Sequence, residues 1–193
     1  MTASTDLLKQ VPDINNKRTV QERIHGVLVS VNRVGVLLIG KSGIGKSECA
    51  LELITRHHKI VADDLVIAGI ERGALFGKSD PLIRGYMELH GLGVIKVQSH
   101  FGKNALCPKK RIDMVIDFIE WDKSSHARGF LKPYTYTILG KTLPLVKLPV
   151  RPARNMASLV EVAVTSFLLK KKGIDEAKEL EQRISDRIRS SRG

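Results

Sequence analysis

Cysteine is scarce in this chain, which has only Cys49 and Cys107 among its 193 residues. The two lie far apart and follow neither a disulfide pattern nor a zinc-binding pattern, which excludes a small domain held together by disulfides. No apolar run approaches the roughly 18 to 20 residues of a membrane helix, and the first residues do not resemble a signal peptide. We therefore expect a cytoplasmic protein that does not associate with a membrane.

Aromatic residues are also few, at 5% of the chain, although hydrophobic residues in all make up 42%. This composition is typical of a globular core rich in aliphatic side chains. The formal net charge is +12, and the basic excess is spread over runs at 109–111, 170–172 and 183–192. Aromatic residues are not interleaved with these runs as single-stranded nucleic acid would favour. We expect a solvated basic surface, with an acidic protein partner as the alternative, and no nucleic-acid partner.

The distribution of apolar residues predicts one α/β domain. Residues 1–22 are polar and without periodicity, so we expect a flexible leader there and a single domain over residues 23–193. Two β-rich runs at 27–31 and 34–39 flank the turn signal Asn32-Arg33 and predict a hairpin. Further strands are predicted at 59–62, 65–70, 93–97, 114–119, 134–139 and 142–148. Helices are expected over 47–57, from a cap at Asn155 to Gly173, and from residue 175 onward.

A glycine-rich loop is the strongest functional signal. Residues 40–47 match the phosphate-binding pattern G-x-x-x-x-G-K-[ST] in full, between an apolar strand and a predicted helix. Glycines let the backbone N–H groups converge on phosphate oxygens, and the helix N-terminus adds partial positive charge. In this pattern Lys46 reaches the β- and γ-phosphates, and the Ser47 hydroxyl ligates Mg²⁺. The predicted nucleotide site consists of Gly40, Lys41, Ser42, Gly43, Ile44, Gly45, Lys46 and Ser47.

Asp63 and Asp64 follow a predicted strand, at the edge of the sheet where the phosphate loop also lies. One carboxylate can hold Mg²⁺, a role that we expect for Asp63, and the other can accept a proton from a substrate hydroxyl. Repulsion between them would raise the pKa of one and suit it to the base role; a solvated turn is the plainer alternative. His25, Glu88 and Arg128 are weaker candidates by themselves, although an arginine such as Arg128 can stabilise charge on a transferred phosphoryl group.

The chain resembles the HPr kinase/phosphorylase family from Arg23 to Phe167. That family phosphorylates a serine of the phosphocarrier HPr, regulating the sugar phosphotransferase system, and removes the phosphate by phosphorolysis. The resemblance implies a P-loop kinase core of the PEP-carboxykinase-like kind, with a mixed sheet, a helix after the P-loop and C-terminal helices. It rests on the P-loop together with Ile24-His25-Gly26-Val27, Val61-Ala62-Asp63-Asp64, Glu88-Leu89-His90-Gly91-Leu92-Gly93, Pro149-Val150-Arg151-Pro152-Ala153-Arg154-Asn155 and Glu161-Val162-Ala163.

The same resemblance implies a role for each matching residue. His25 and Lys46 are active-site residues, Ser47 and Glu88 hold Mg²⁺, and Asp64 is the base that takes the serine proton and returns it in the reverse direction. Arg128 is the catalytic arginine, and a segment tied to dephosphorylation comprises Pro149, Val150, Arg151, Pro152, Ala153 and Arg154. The resemblance also implies ATP and Mg²⁺ as ligands, phosphate and pyrophosphate in the reverse reaction, HPr as the protein substrate, and a hexamer.

The chain departs from the family pattern in three places. Only about 22 residues precede the core, where full-length members carry a domain-sized N-terminal block, so we expect a short form of the family. Near Glu88, this chain has His90 where the family usually has an arginine and Lys96 where the family usually has an acid. The loop after Arg128 also differs, which bears on substrate identity and on the phosphorylase activity. Two other functions stay open from the sequence: a regulator that binds ATP without turnover, and a small-molecule kinase built on a P-loop.

Overall fold

The computed structural model describes residues 20–121, 134–151 and 153–190. Within these residues, the strands are β1 (Gln21–His25), β2 (Val27–Val31), β3 (Val34–Gly40), β4 (Lys59–Ala62), β5 (Leu65–Glu71), β6 (Ala74–Ser79), β7 (Tyr86–Leu89), β8 (Gly93–Lys96), β9 (Lys109–Arg111), β10 (Met114–Glu120), β11 (Tyr134–Ile138) and β12 (Lys141–Val150). The helices are α1 (Lys46–Thr55), α2 (Val97–Phe101), α3 (Met156–Lys171) and α4 (Glu176–Ser190), with a 3₁₀ turn at Lys103–Ala105.

A six-stranded mixed sheet forms the centre, in the order β11-β12-β10-β3-β2-β4. Its strands β3, β10 and β12 are parallel, whereas β2 is antiparallel to both β3 and β4. Asn32 and Arg33 both have positive φ, at 47° and 69°, which is the backbone of the tight hairpin turn that suits twisted strands. The carboxyl ends of β3, β10, β12 and β4 therefore lie at one edge of this sheet, where open α/β sheets bind ligands.

Alternation along the central strands divides the core into two layers. On β2, Val27, Val29 and Val31 pack on one side with α1 and α3, whereas Leu28 faces the other side. A four-stranded antiparallel sheet, β1-β5-β6-β9, covers that second side. Because successive side chains of a strand point to opposite faces, the apolar runs of β2, β3 and β10 fill both layers.

A cluster of charged side chains joins the end of α1 to α3. The Arg56 guanidinium donates to Glu161 at 2.7 Å and to the Ser158 hydroxyl at 2.9 Å, and His58 Nε2 lies 2.9 Å from Glu161. The hydrogen bond from His58 is the first of several causes that lower the pKa of Glu161. This cluster fixes α3 against the helix that follows the phosphate loop.

Several sequence-based expectations are confirmed, including the hairpin and the cap of α3, where the Asn155 side chain accepts from the Ser158 N–H at 2.9 Å. Others are wrong in their bounds. The first helix ends at Thr55 because His57, with a φ of 67°, has left the helix. The strand expected at 93–97 ends at Lys96, and β7 and β8 form a separate two-stranded sheet.

The expected leader ended at residue 22, but Gln21 and Glu22 belong to β1. Strands β6, β7 and β9 and helix α2 were also not predicted. β6 alternates half-buried and buried residues in the structure, but its sequence does not alternate apolar and polar residues, and β9 consists of three charged residues. Across residues 20–121, 134–151 and 153–190, we find no helix with the length and apolarity needed to span a membrane.

Candidate active site

The phosphate loop connects the end of β3 to the start of α1. Gly40 has a φ of 138°, and a Cβ there would lie 2.5 Å from the Phe118 carbonyl oxygen on the neighbouring strand β10. Gly43 and Gly45 also have positive φ, at 75° and 100°. Gly40 is thus required by both conformation and space, whereas the other two glycines are required by conformation alone.

Lys46 is the cationic centre of this loop and is only 6% exposed. Its ammonium group donates to the carbonyl oxygens of Gly40 at 2.9 Å and Lys41 at 2.8 Å. Burial lowers its pKa, while Asp64, Asp63 and Glu48 act in the opposite direction. The carboxylates around it therefore help to keep a buried lysine charged.

Asp63 organises the side of the pocket that faces β4 and β7. The carboxylate accepts from the Ser47 hydroxyl at 2.9 Å and from the Glu88 backbone N–H at 3.1 Å. Burial raises its pKa, and these hydrogen bonds oppose the rise. The expectation that one acid of the pair has a raised pKa is correct, but the shift falls on Asp63, and burial rather than repulsion is its first cause.

Asp64 lies at the mouth of the same pocket, with its side chain 71% exposed. Its Oδ1 is 3.0 Å from His25 Nδ1. Its backbone has a φ of 64°, and the Leu65 N–H donates back to the Asp63 carbonyl at 2.8 Å, which forms a tight and strained three-residue turn. The turn and the contact with His25 together turn Asp64 away from its neighbour Asp63.

Gly26 explains how His25 reaches this position between two sheets. A Cβ at Gly26 would lie 2.6 Å from the Leu38 carbonyl oxygen, so the chain passes directly over β3 as it leaves β1. The Gly26 N–H also donates to the Asp64 carbonyl at 3.0 Å. Asp64 is consequently held by the Gly26 backbone and by the His25 side chain.

One pocket unites most of the residues that the sequence singled out: His25, Ser42, Gly43, Gly45, Lys46, Ser47, Asp63, Asp64 and Glu88. Val27, Glu48 and His90 also line it. Glu48 was missed as a site residue, although its place one residue after the motif on the first turn of α1 was a usable signal. His90 had been noted only as a departure from a family pattern.

The remaining loop residues lie around this pocket. Lys41 forms an ion pair with Glu120 at 2.8 Å, at the end of β10. Ile44 packs against the core layer that contains α1 and α3. It also lines a second cavity between these two helices, together with Val150 and Arg154.

The described residues of the expected dephosphorylation segment, 149–151, 153 and 154, lie at and just after the end of β12, outside the pocket lined by Lys46. The Arg154 guanidinium donates to the Pro149 carbonyl at 3.2 Å, Ala153 has a φ of 64°, and Arg151 stacks on Trp121. Arg128 and Pro152 fall outside the residues that the structure describes.

The oxygen donors in the pocket fit a magnesium ion. Because Ser47 donates its hydroxyl hydrogen to Asp63, its oxygen lone pairs remain free for a cation, and the Glu88 carboxylate lines the same space. In the parts of the chain that are described, no three His, Cys, Asp or Glu side chains cluster as a metal cage. Mg²⁺ is typically held by one or two protein oxygens together with substrate phosphates, which this arrangement suits.

Comparison with known proteins identifies the family to which this chain is similar. A family model, the HPr Serine kinase C-terminal domain, matches residues 16–184. An HPr kinase/phosphorylase of Geobacter sulfurreducens is 47% identical over 167 residues, or 86% of this chain and 52% of that protein. Another, from Geobacillus thermodenitrificans, is 45% identical over 177 residues, or 91% of this chain and 57% of the relative. The chain thus spans about half the length of these relatives.

A solved structure adds evidence from the fold. The Hpr(Ser) kinase/phosphatase from Coxiella burnetii superposes with a TM-score of 0.74 at 31% identity, covering 82% of this chain and 98% of that one. The α/β fold with a mixed sheet, a helix after the phosphate loop and C-terminal helices is therefore shared with it. The chain belongs to the family of the HPr serine kinase C-terminal domain.

Proposed function

We propose that this chain is an ATP- and Mg²⁺-dependent protein-serine kinase that phosphorylates an HPr-type phosphocarrier. One observation supports this most strongly: Lys46 and Ser47 of the phosphate loop share a pocket with Asp64, which His25 contacts at 3.0 Å. A phosphate-binding lysine beside an exposed, oriented carboxylate suits transfer of a phosphoryl group to a hydroxyl. In this proposal residues 23–193 form the catalytic domain.

Asp64 is the proposed general base. Its exposed carboxylate can accept the proton of an incoming serine hydroxyl, whose oxygen then bonds to the γ-phosphorus while the bond to the β-phosphate oxygen breaks and ADP leaves. His25 fixes the carboxylate through the Nδ1 contact. The partly strained turn at Asp64 keeps that carboxylate at the mouth of the pocket, where a protein substrate has access.

Lys46, Ser47 and the loop glycines are proposed to bind the phosphates. The pocket holds four carboxylates, from Glu48, Asp63, Asp64 and Glu88, and these would repel a nucleoside triphosphate by themselves. Mg²⁺, when bound, supplies the compensating positive charge. Ser47 and Glu88 are its proposed ligands, and Asp63 acts mainly by holding the Ser47 hydroxyl and the backbone of β7.

The reverse reaction is proposed for the same residues. Inorganic phosphate in place of the nucleotide would attack the phosphoserine, giving pyrophosphate and the free serine, with Asp64 returning the proton. Arg128 and the segment 149–154 are proposed to take part, on the strength of the family pattern.

The test is the intact mass of HPr after incubation with this protein, ATP and Mg²⁺. We expect a gain of one phosphate, which should disappear when the acceptor serine of HPr is replaced by alanine. A Lys46→Met variant, of similar volume, should lose the activity. Unmodified HPr in the presence of bound ATP would refute the proposed kinase. For the reverse direction, phosphorylated HPr and inorganic phosphate should yield pyrophosphate. If the amount of phosphoserine does not fall, the protein is a kinase without the reverse activity.

We further propose a cytoplasmic homo-oligomer, a hexamer by family resemblance. Helix α4 has no buried residue, and Leu180, Ile184 and Ile188 on its apolar stripe are each at least half exposed. An apolar stripe of this kind is suited to contact with another chain. Light scattering of the purified protein should give the mass of six chains, and a monomeric mass at working concentration would refute the oligomer.

A further inference from the structure

The four-stranded sheet β1-β5-β6-β9 carries basic side chains in one row across its strands. The register places Arg23 opposite Ile67 and Ile67 opposite Lys78. Lys78 in turn lies opposite Lys109. Residues directly opposite each other in antiparallel strands point to the same face, so these side chains share one side of the sheet. We call Arg23, Lys78 and Lys109 the basic row; with strands about 4.8 Å apart, it spans about 15 Å.

The basic row lies on the face that is turned away from the core. Lys109 Nζ lies 2.6 Å from Glu71 Oε2 and 5.2 Å from the centre of the Phe76 ring, and both partners belong to this face. Ile67 is 8% exposed and yet belongs to neither layer of the core, because the stems of its basic neighbours shield it. The Lys109 side chain is 42% exposed, and Arg23 is also exposed. In the described part of the chain, the row is therefore accessible to a partner.

The charges in this row are unfavourable for the sheet itself. Lys78 and Lys109 are like charges directly opposite each other, an arrangement that destabilises paired strands. Glu71 offsets the charge of Lys109, whereas Lys78 has no ion-pair partner among the described residues. Arg111, two residues after Lys109 on β9, adds a further cation near the row, although it pairs with Asp113. Charges that the fold does not need are better explained by binding of an anionic partner.

The row begins beside the proposed catalytic pair. Arg23 and His25 are two residues apart on β1 and so point to the same face, and His25 contacts Asp64 at 3.0 Å. A protein whose serine reaches Asp64 therefore lies close enough to cover the row. The Phe76 ring on this face already has Lys109 over it, which disfavours stacking of a nucleic-acid base.

We infer that the basic row is a docking surface for an acidic face of the protein substrate. The inference rests on the proposed function, because it takes the acceptor to be a serine of a folded protein. Opposite charges on two protein surfaces steer and orient their association, and changes to such charges act mainly on the encounter. The row therefore contributes to KM for the protein substrate and leaves the transfer step to the pocket.

The test is Lys78→Glu, assayed by steady-state phosphorylation of HPr and by thermal unfolding. We expect KM for HPr to rise about tenfold, because the change juxtaposes like charges across the interface, and kcat to stay unchanged. Tm should stay the same or rise, because the new carboxylate would lie opposite Lys109. Added salt should raise KM of the wild type more than that of the variant. Lys141→Glu, at the exposed start of β12, is the matched control with the same change in net charge and should keep the wild-type KM.

An unchanged KM in Lys78→Glu, or an equal rise in Lys141→Glu, would overturn the docking surface and leave the proposed kinase intact. A lower Tm of Lys78→Glu would also overturn it, because the lysine would then have a structural role. Calorimetry of HPr binding without nucleotide separates the two proposals. If the wild type binds HPr without phosphorylating it and Lys78→Glu binds more weakly, the surface stands and the kinase fails; if the wild type does neither, both fail. Binding of a single-stranded oligonucleotide in place of HPr, lost in Lys78→Glu, would assign the row to nucleic acid and overturn the inference.

Discussion

Replacing Asp64 by asparagine removes the proposed base while preserving the shape of the site. Asparagine accepts the left-handed backbone that a φ of 64° requires, about as well as aspartate does. Its side-chain oxygen can still accept a hydrogen bond from His25. The variant therefore separates the proton-accepting role of the carboxylate from its contribution to structure.

The expected magnitudes differ strongly between stability and activity. The Asp64 and His25 side chains are 71% and 51% exposed, and an exposed pair of this kind contributes at most about 1 kcal/mol. For a protein of this size that corresponds to a fall in Tm of no more than about 2–4 °C. Loss of a general base, in contrast, typically slows a reaction by about 100- to 10,000-fold.

Single-turnover formation of phosphoserine on HPr measures the transfer step, and calorimetry measures ATP binding separately. We expect Asp64→Asn to lose transfer within the stated range and to bind ATP with nearly unchanged affinity. Asp186→Asn on exposed α4 is the matched control and should behave as wild type in both assays. If Asp64→Asn loses binding and transfer equally, or transfers phosphate normally, then Asp64 is not the base.

Gly40→Ala should disrupt the end of β3, because its Cβ would lie 2.5 Å from a backbone oxygen; ATP affinity and Tm should both fall. Glu161→Gln should destabilise the protein by about 1–2 kcal/mol at pH 7. The contact with His58 lowers the pKa of Glu161. The stabilisation that the ionised Glu161 carboxylate provides is therefore present above its ordinary pKa of 4.5 and is lost as the pH falls through its folded-state pKa. Burial raises the pKa of Asp117, and the nearby Lys147 opposes this rise. The wild type therefore loses stability as the pH rises through the folded-state pKa of Asp117. Asp117→Asn should raise Tm at pH 7 and have little effect at low pH.

Thermal unfolding over a pH series checks the variants Glu161→Gln and Asp117→Asn, which each replace an acidic residue by its amide. An effect of Glu161→Gln that is independent of pH would show that charge is not the cause, and a lower Tm for Asp117→Asn at pH 7 would contradict the role of burial there. Gly43→Ala is the control for Gly40→Ala. It has a φ of 75° but open space at the Cβ position, so it should lose less stability. Equal losses would mean that the contact with β10 is unimportant.

Local signals in the sequence predicted the elements on which the site depends. The hairpin turn, the glycine loop and the Asn155 cap each depend on a few adjacent residues, and all three lie where they were expected. Asp63 and Asp64 also lie beside Lys46 as expected from the shared carboxyl edge, because their strand is next to the hairpin in the sheet.

Long-range pairing explains what the sequence did not predict. β1 pairs with β5 across separations of 40 to 48 residues, and β6 pairs with β9 across 31 to 35 residues, so no local pattern announces these two pairings. The opposite roles of the two adjacent acids also depend on tertiary structure. Asp63 is buried by packing against β7, and Asp64 is exposed at a strained three-residue turn that residue spacing does not reveal. The position of Trp121 opposite Arg151 follows from the register of β10 and β12, which residue spacing does not reveal.

The central claim is that nucleotide held at Gly40–Ser47 donates its terminal phosphoryl group to a serine of a protein. The most direct test mixes this protein with ATP, Mg²⁺ and HPr and counts ADP and phosphoserine in the same samples over time. We expect the two products to appear together and in equal amounts. ADP that accumulates without phosphoserine, or bound ATP that yields neither product, would contradict it.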